Sequence, residues 1–72
     1  MKKKFKMQDV DCAHCAAEME NNIRKLEGVN EVSISFMHQK MTIDADDARF
    51  DEIMAEAQKC VAKVDDNAKI LL

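Results

Sequence analysis

The chain has no proline, no tryptophan and a single glycine, Gly28, and its only aromatic residues are three phenylalanines. With no proline and one glycine, no stretch reads as a flexible linker, and 72 residues make one domain, spanning residues 1–72. No window holds the roughly 20 apolar residues of a membrane span. The basic start, MKKKFKM, is like the front of a signal peptide, yet no apolar stretch follows it. A soluble, cytoplasmic chain with no membrane-inserted segment is therefore expected. Three cysteines are an odd number, and two of them lie so close that bridging them would close only a tiny loop. That argues against a disulfide framework and for thiol chemistry in a reducing compartment. Fourteen acids against eleven bases give a net charge of −3, a poor match to a nucleic-acid backbone. The Lys2, Lys3, Lys4, Lys6 cluster then reads as a solvated strand face. No Ser/His/Asp set and no phosphate-binding loop is present, so the chain is not expected to be an enzyme by itself.

What is present has a clear order. Phe5 and Met7 alternate with Lys4 and Lys6, which predicts a strand over residues 2–8 with one face exposed. From Ala13 onward, Ala16, Met19, Ile23 and Leu26 recur every three or four residues and predict an amphipathic helix. Arg24 and Lys25 suit the negative end of its dipole, and Gly28 suits a left-handed cap. Val32, Ile34 and Phe36 then alternate inward, as do Met41 and Ile43, with Met37-His38-Gln39 as the hairpin turn between them. Asp46 or Asp47 is placed to cap a second helix. Its stripe runs through Phe50, Ile53, Met54, Ala57, Cys60, Val61 and Val64, with Lys59 and Lys63 near its end. Ala68-Lys69-Ile70-Leu71-Leu72 has room for one short strand. The order β-α-β-β-α-β predicts an α+β, ferredoxin-like sandwich: a four-stranded antiparallel sheet with two helices on one face. The six methionines form no Met-x-Met cluster and read as packing residues.

The chemistry concentrates in Asp11-Cys12-Ala13-His14-Cys15, at the point where a loop enters the first helix. A three-residue spacing lets two sulfurs converge on one ion, and a helix N-terminus stabilises thiolates through its unpaired N–H groups. Thiolate is the form that binds soft or borderline metals. A structural zinc site normally takes four protein ligands. One pair leaves open coordination positions, as suits a carrier. Two other readings exist: the cysteines could be core residues, or a thiol–disulfide redox pair. A polar flank speaks against the first, and the missing tryptophan and proline against the second. His14 is expected to face solvent, with ligation as an alternative. His38 is expected to be solvated in its turn. Cys60 lies in the apolar stripe as a small core residue, or as a third sulfur ligand if it leans outward.

The element order, the loop MQDVDCAHCA, the segment LEGVNEVSISF and the length together resemble the heavy-metal-associated domain. That family comprises small metallochaperones and the N-terminal metal-binding domains of metal-exporting P-type ATPases. The resemblance implies that Cys12 and Cys15 bind the metal and that Val10 packs beneath the loop. It also implies a monomeric, cytoplasmic module that passes its ion by ligand exchange to a P-type ATPase or to that ATPase's other domains. Copper members usually carry Thr or Ser before the first cysteine, whereas Asp11 stands here, and DCxxC resembles the zinc/cadmium/lead branch. A carboxylate adds little to copper(I) but can complete a shell around zinc(II), cadmium(II) or lead(II). Asp11 is thus either a ligand or only a helix cap, and copper(I) stays open as the alternative cargo. The stretch KCVAKVDDNA lacks the Gly-aromatic or Gly-Lys turn often found there in copper members.

Overall fold

Alternation of side chains decides the sheet. In the computed structural model, which describes residues 1–72, β1 is Lys2–Gln8, β2 is Val29–Ser35, β3 is Lys40–Ala45 and β4 is Lys69–Leu71. Two helices, α1 over Ala13–Arg24 and α2 over Phe50–Val64, link them, and a 3₁₀ turn over Asp47–Arg49 leads into α2. The strands form one sheet in the order β2-β3-β1-β4, with every neighbouring pair antiparallel. Met7, Val32, Ile34, Met41, Ile43 and Ile70 point to the covered face and are buried. Lys2, Lys4 and Lys6 point the other way and are exposed. Lys3 is exposed as well but lies on the other side of the strand, with its ammonium 5.7 Å above the Phe50 ring, a cation–π contact.

Both helices lay their apolar stripes on that covered face, which gives the expected α+β, ferredoxin-like sandwich. Ala16, Met19 and Ile23 come from α1, and Phe50, Ile53, Met54, Ala57 and Val61 from α2. With the inward strand residues, Val10, Ala45 and Ala68 they form one core of 17 residues, and no polar side chain is buried in it. Each large side chain fully buried there stabilises the fold by about 1.5–3 kcal/mol relative to exposure.

Five local expectations are corrected. Asp46 caps the 3₁₀ turn, accepting from the Ala48 N–H at 3.1 Å, while the N-cap of α2 itself is Arg49, with no side-chain cap. α1 ends at Arg24, with Lys25 as its cap, so Gly28 does not cap the helix. Gly28 instead takes φ +93° to turn the chain into β2, with its carbonyl accepting from the Asp46 N–H at 2.9 Å. Leu26 accordingly lies beyond the helix, though it still packs against the core. Phe36 is not inward; it falls in the β2–β3 turn and is exposed. Finally, four methionines pack in the core as expected, but Met1 and Met37 are exposed.

Topology brings three connections to one end of the sheet. β1 runs antiparallel to β3, so its C-terminal end meets the β2–β3 turn, where the Met7 N–H donates to the Gln39 carbonyl at 2.7 Å. β4 pairs with the same end of β1, Gln8 opposite Lys69. The loop before α1, the turn at residues 36–39 and the turn after α2 therefore cluster together, and DCAHC sits among them.

Candidate metal centre

Cys12 is the N-cap of α1. Its backbone is extended, with φ −143° and ψ 132°, and its Sγ accepts from the Cys15 N–H at 3.4 Å. The cap position is thereby taken by a thiol, and Asp11 is not the helix cap. The backbone N–H of Cys15 holds the Cys12 thiol below its ordinary pKa, followed by the Cys15 thiol itself and the His14 N–H, against the pull of burial and of Glu18. Cys15 is pushed up, first by its hydrogen bond to Cys12 and then by burial and the negative charges of Cys12, Asp65 and Glu18. The helix N-terminus thus favours charge on Cys12 over Cys15. Both thiols are half-buried and reduced.

The other candidates are placed as follows. Asp11 is exposed and takes part in no hydrogen bond or ion pair. His14 points outward, its Nε2 3.0 Å from the Glu18 carboxylate one helical turn away. His38 is exposed in the turn, where its N–H donates to the Ser35 hydroxyl at 3.3 Å. Cys60 is half-buried against the core. Burial pushes its thiol pKa up, and the charges that bear on it are Lys63 and Glu56 of its own helix. In this conformation no three His, Cys, Asp or Glu side chains are gathered around a common point, so the structure brings together Cys12 and Cys15 alone. Val10 lies buried under the loop, 1% exposed, as expected.

Two residues near the pair were not foreseen. Asp65 caps the C-terminus of α2, and its charge reaches Cys15. Its position directly after the second stripe was the available signal. Gln39 holds Val10 by its backbone from the neighbouring turn: its Oε1 accepts from the Val10 N–H at 2.9 Å and its Nε2 donates to the Val10 carbonyl. No local pattern marks it, because the partners are 29 residues apart.

The βαββαβ sandwich that carries this half-buried dithiol is a fold shared with known proteins. The family model for the heavy-metal-associated domain matches residues 4–63. The chain belongs to the heavy-metal-associated domain family. This heavy-metal-associated domain is 39% identical over 59 residues to a zinc/cadmium/lead-transporting P-type ATPase of Shigella sonnei. That match takes in 82% of the chain but only 8% of the ATPase's length. The domain is 29% identical over 48 residues to the copper chaperone CopZ of Enterococcus hirae, covering 67% of the chain and 70% of the chaperone. Among solved structures it superposes on the N-terminal domain of ZntA in its Zn(II) form with a TM-score of 0.74 and 30% identity, over 97% of the chain and 88% of that domain. The family's modules bind metal and are not catalytic by themselves. No helix is long and apolar enough to cross a membrane.

Proposed function

We propose that this heavy-metal-associated domain binds one zinc(II), cadmium(II) or lead(II) ion through Cys12 and Cys15, with Asp11 as the third donor. The observation that carries this reading is the relation of the three residues. The thiols are joined at the helix N-terminus, where charge on Cys12 is stabilised, and the carboxylate before them is exposed and unpaired. Because the helix cap is the Cys12 thiol, Asp11 is left without a capping role and is free to turn toward an ion. Two thiolates balance the charge of a borderline divalent ion, and the carboxylate adds a third donor, leaving positions open for exchange. The ion is cargo. A partner's thiolates would enter the open positions while those of Cys12 and Cys15 leave.

The likeness to a zinc/cadmium/lead-transporting ATPase supports this choice of ion. It also supports placing the domain on the cytoplasmic side, as a monomeric part of a metal-exporting P-type ATPase or as a carrier for one. The likeness to a copper chaperone supports copper(I), held by the two thiolates alone, as the second reading. One substitution separates the two. Asp11→Ala is expected to weaken zinc(II) binding about tenfold or more in competition with a chromophoric chelator, while copper(I) affinity changes by less than about threefold. Equal loss for both ions, or no loss for either, would remove Asp11 from the ligand set.

A further inference from the structure

Past Lys6, β1 leaves β3: Lys6 opposite Lys40 is the last residue pair between them on the way to the loop. Gln39 extends the connection beyond that point. Its backbone carbonyl accepts from the Met7 N–H, and its φ of +53° is a left-handed conformation uncommon for a residue with a side chain. Its side-chain amide then does for Val10 what a paired strand would do. Oε1 takes the Val10 N–H, and Nε2 donates to the carbonyls of Val10 and Phe36. Every hydrogen-bonding position of the carboxamide except one acceptor lone pair is used.

The carbonyl so held belongs to the peptide unit between Val10 and Asp11. Fixing that plane, with the Val10 side chain buried beneath it, fixes the direction from which the backbone presents Asp11. We infer that Gln39 is a positioning residue for the metal loop, one that holds the Val10–Asp11 peptide so that the Asp11 carboxylate is presented to an ion held by Cys12 and Cys15. The inference rests on the divalent-metal reading above. Outer groups that orient ligands typically contribute about 10–100-fold to metal affinity. Gln39 acts on the carboxylate's approach and leaves the cysteine pair, organised by the Cys15 N–H, intact. Its removal therefore lowers divalent affinity and spares binding by two thiolates.

Gln39→Met keeps the length of the side chain and removes its polar atoms. Gln39→Glu keeps an acceptor for the Val10 N–H, and Gln39→Lys keeps a donor for the Val10 carbonyl. In the metal-free protein, amide exchange at Val10 is expected to speed up about tenfold or more in Gln39→Met, with the Val32 and Ile43 amides unchanged. In metal competition, Gln39→Met is expected to lose about tenfold in zinc(II) affinity and less than about threefold in copper(I) affinity. Gln39→Lys should recover more of the zinc(II) affinity than Gln39→Glu, because the carbonyl contact fixes the plane. Unchanged Val10 exchange would overturn the inference, as would equal loss for both ions accompanied by a general fall in melting temperature. A wild-type protein that takes up neither ion would overturn the metal reading and this inference with it. A variant that discriminates between the ions as the wild type does would overturn the inference alone.

Discussion

Gly28→Ala gives a measurable test of how the end of the sheet remote from the cysteines is built. Gly28 sits at φ +93°, where an L side chain costs about 1–2 kcal/mol. A Cβ placed there would lie 2.8 Å from Cδ1 of Ile53. Ile53 is 3% exposed, so its side chain cannot swing into solvent, and pushing it off its rotamer adds about 0.5–1.5 kcal/mol. Against these stands the smaller entropy of the unfolded alanine chain, about 0.4–1 kcal/mol. The net destabilisation is about 2 kcal/mol, a large share of the roughly 4–11 kcal/mol expected for a chain of 72 residues. For a domain of this size it corresponds to a fall in melting temperature of about 8–16 °C. Thermal unfolding followed by circular dichroism reads it directly. Metal affinity below the transition should not change, because Gly28 precedes the end of β2 that pairs with Ala45, opposite the cysteine loop. A fall of less than about 2 °C would refute the strain reasoning. A parallel loss of metal affinity would refute the separation of the two ends.

Two further outcomes follow from the same contacts. In the metal-free protein Cys12 should alkylate first: hydrogen bonds hold its thiol below the ordinary range, whereas Cys15 and Cys60 are pushed above it. Iodoacetamide labelling across about pH 6–9 with peptide mass mapping should show the Cys12 rate rising at lower pH than the others, and earlier labelling of Cys15 would contradict this. On the far edge of the sheet, the Gln58 carboxamide holds Ile70 of β4 through two hydrogen bonds, both 2.8 Å. Gln58→Met should cost about 2 kcal/mol in urea unfolding at about 1 kcal/mol per bond, with faster amide exchange at Ile70; unchanged exchange there would show the edge to be held by other means.

The features legible in the sequence were those with a local period. Alternation placed β1 at residues 2–8, and the 3.6-residue stripes placed both helices with their buried faces. The ends of elements were not legible, because each end depends on its neighbours. Gly28 carries the positive φ expected of it but uses it to enter β2, because α1 stops at Arg24, and the chain needs Lys25 to Glu27 to reach the start of β2. Phe36 continued the alternation of β2 on paper, yet the turn begins there and leaves the ring exposed. The glutamines that hold Val10 and Ile70 carry no local signature, since each pairs with backbone brought close only by the fold. At the site, spacing alone singled out Cys12 and Cys15, and the structure joins them at the helix N-terminus. It also shows what spacing could not, that Cys12 itself caps the helix and leaves Asp11 unpaired.

Cadmium titration of the reduced protein, followed by the ultraviolet thiolate-to-metal charge-transfer band, tests most directly whether Cys12 and Cys15 hold the ion. Wild-type protein is expected to saturate at about one equivalent, and the Cys12→Ser, Cys15→Ser double variant to show neither the band nor stoichiometric uptake. Stoichiometric binding that persists in the folded double variant would place the metal elsewhere and contradict the site.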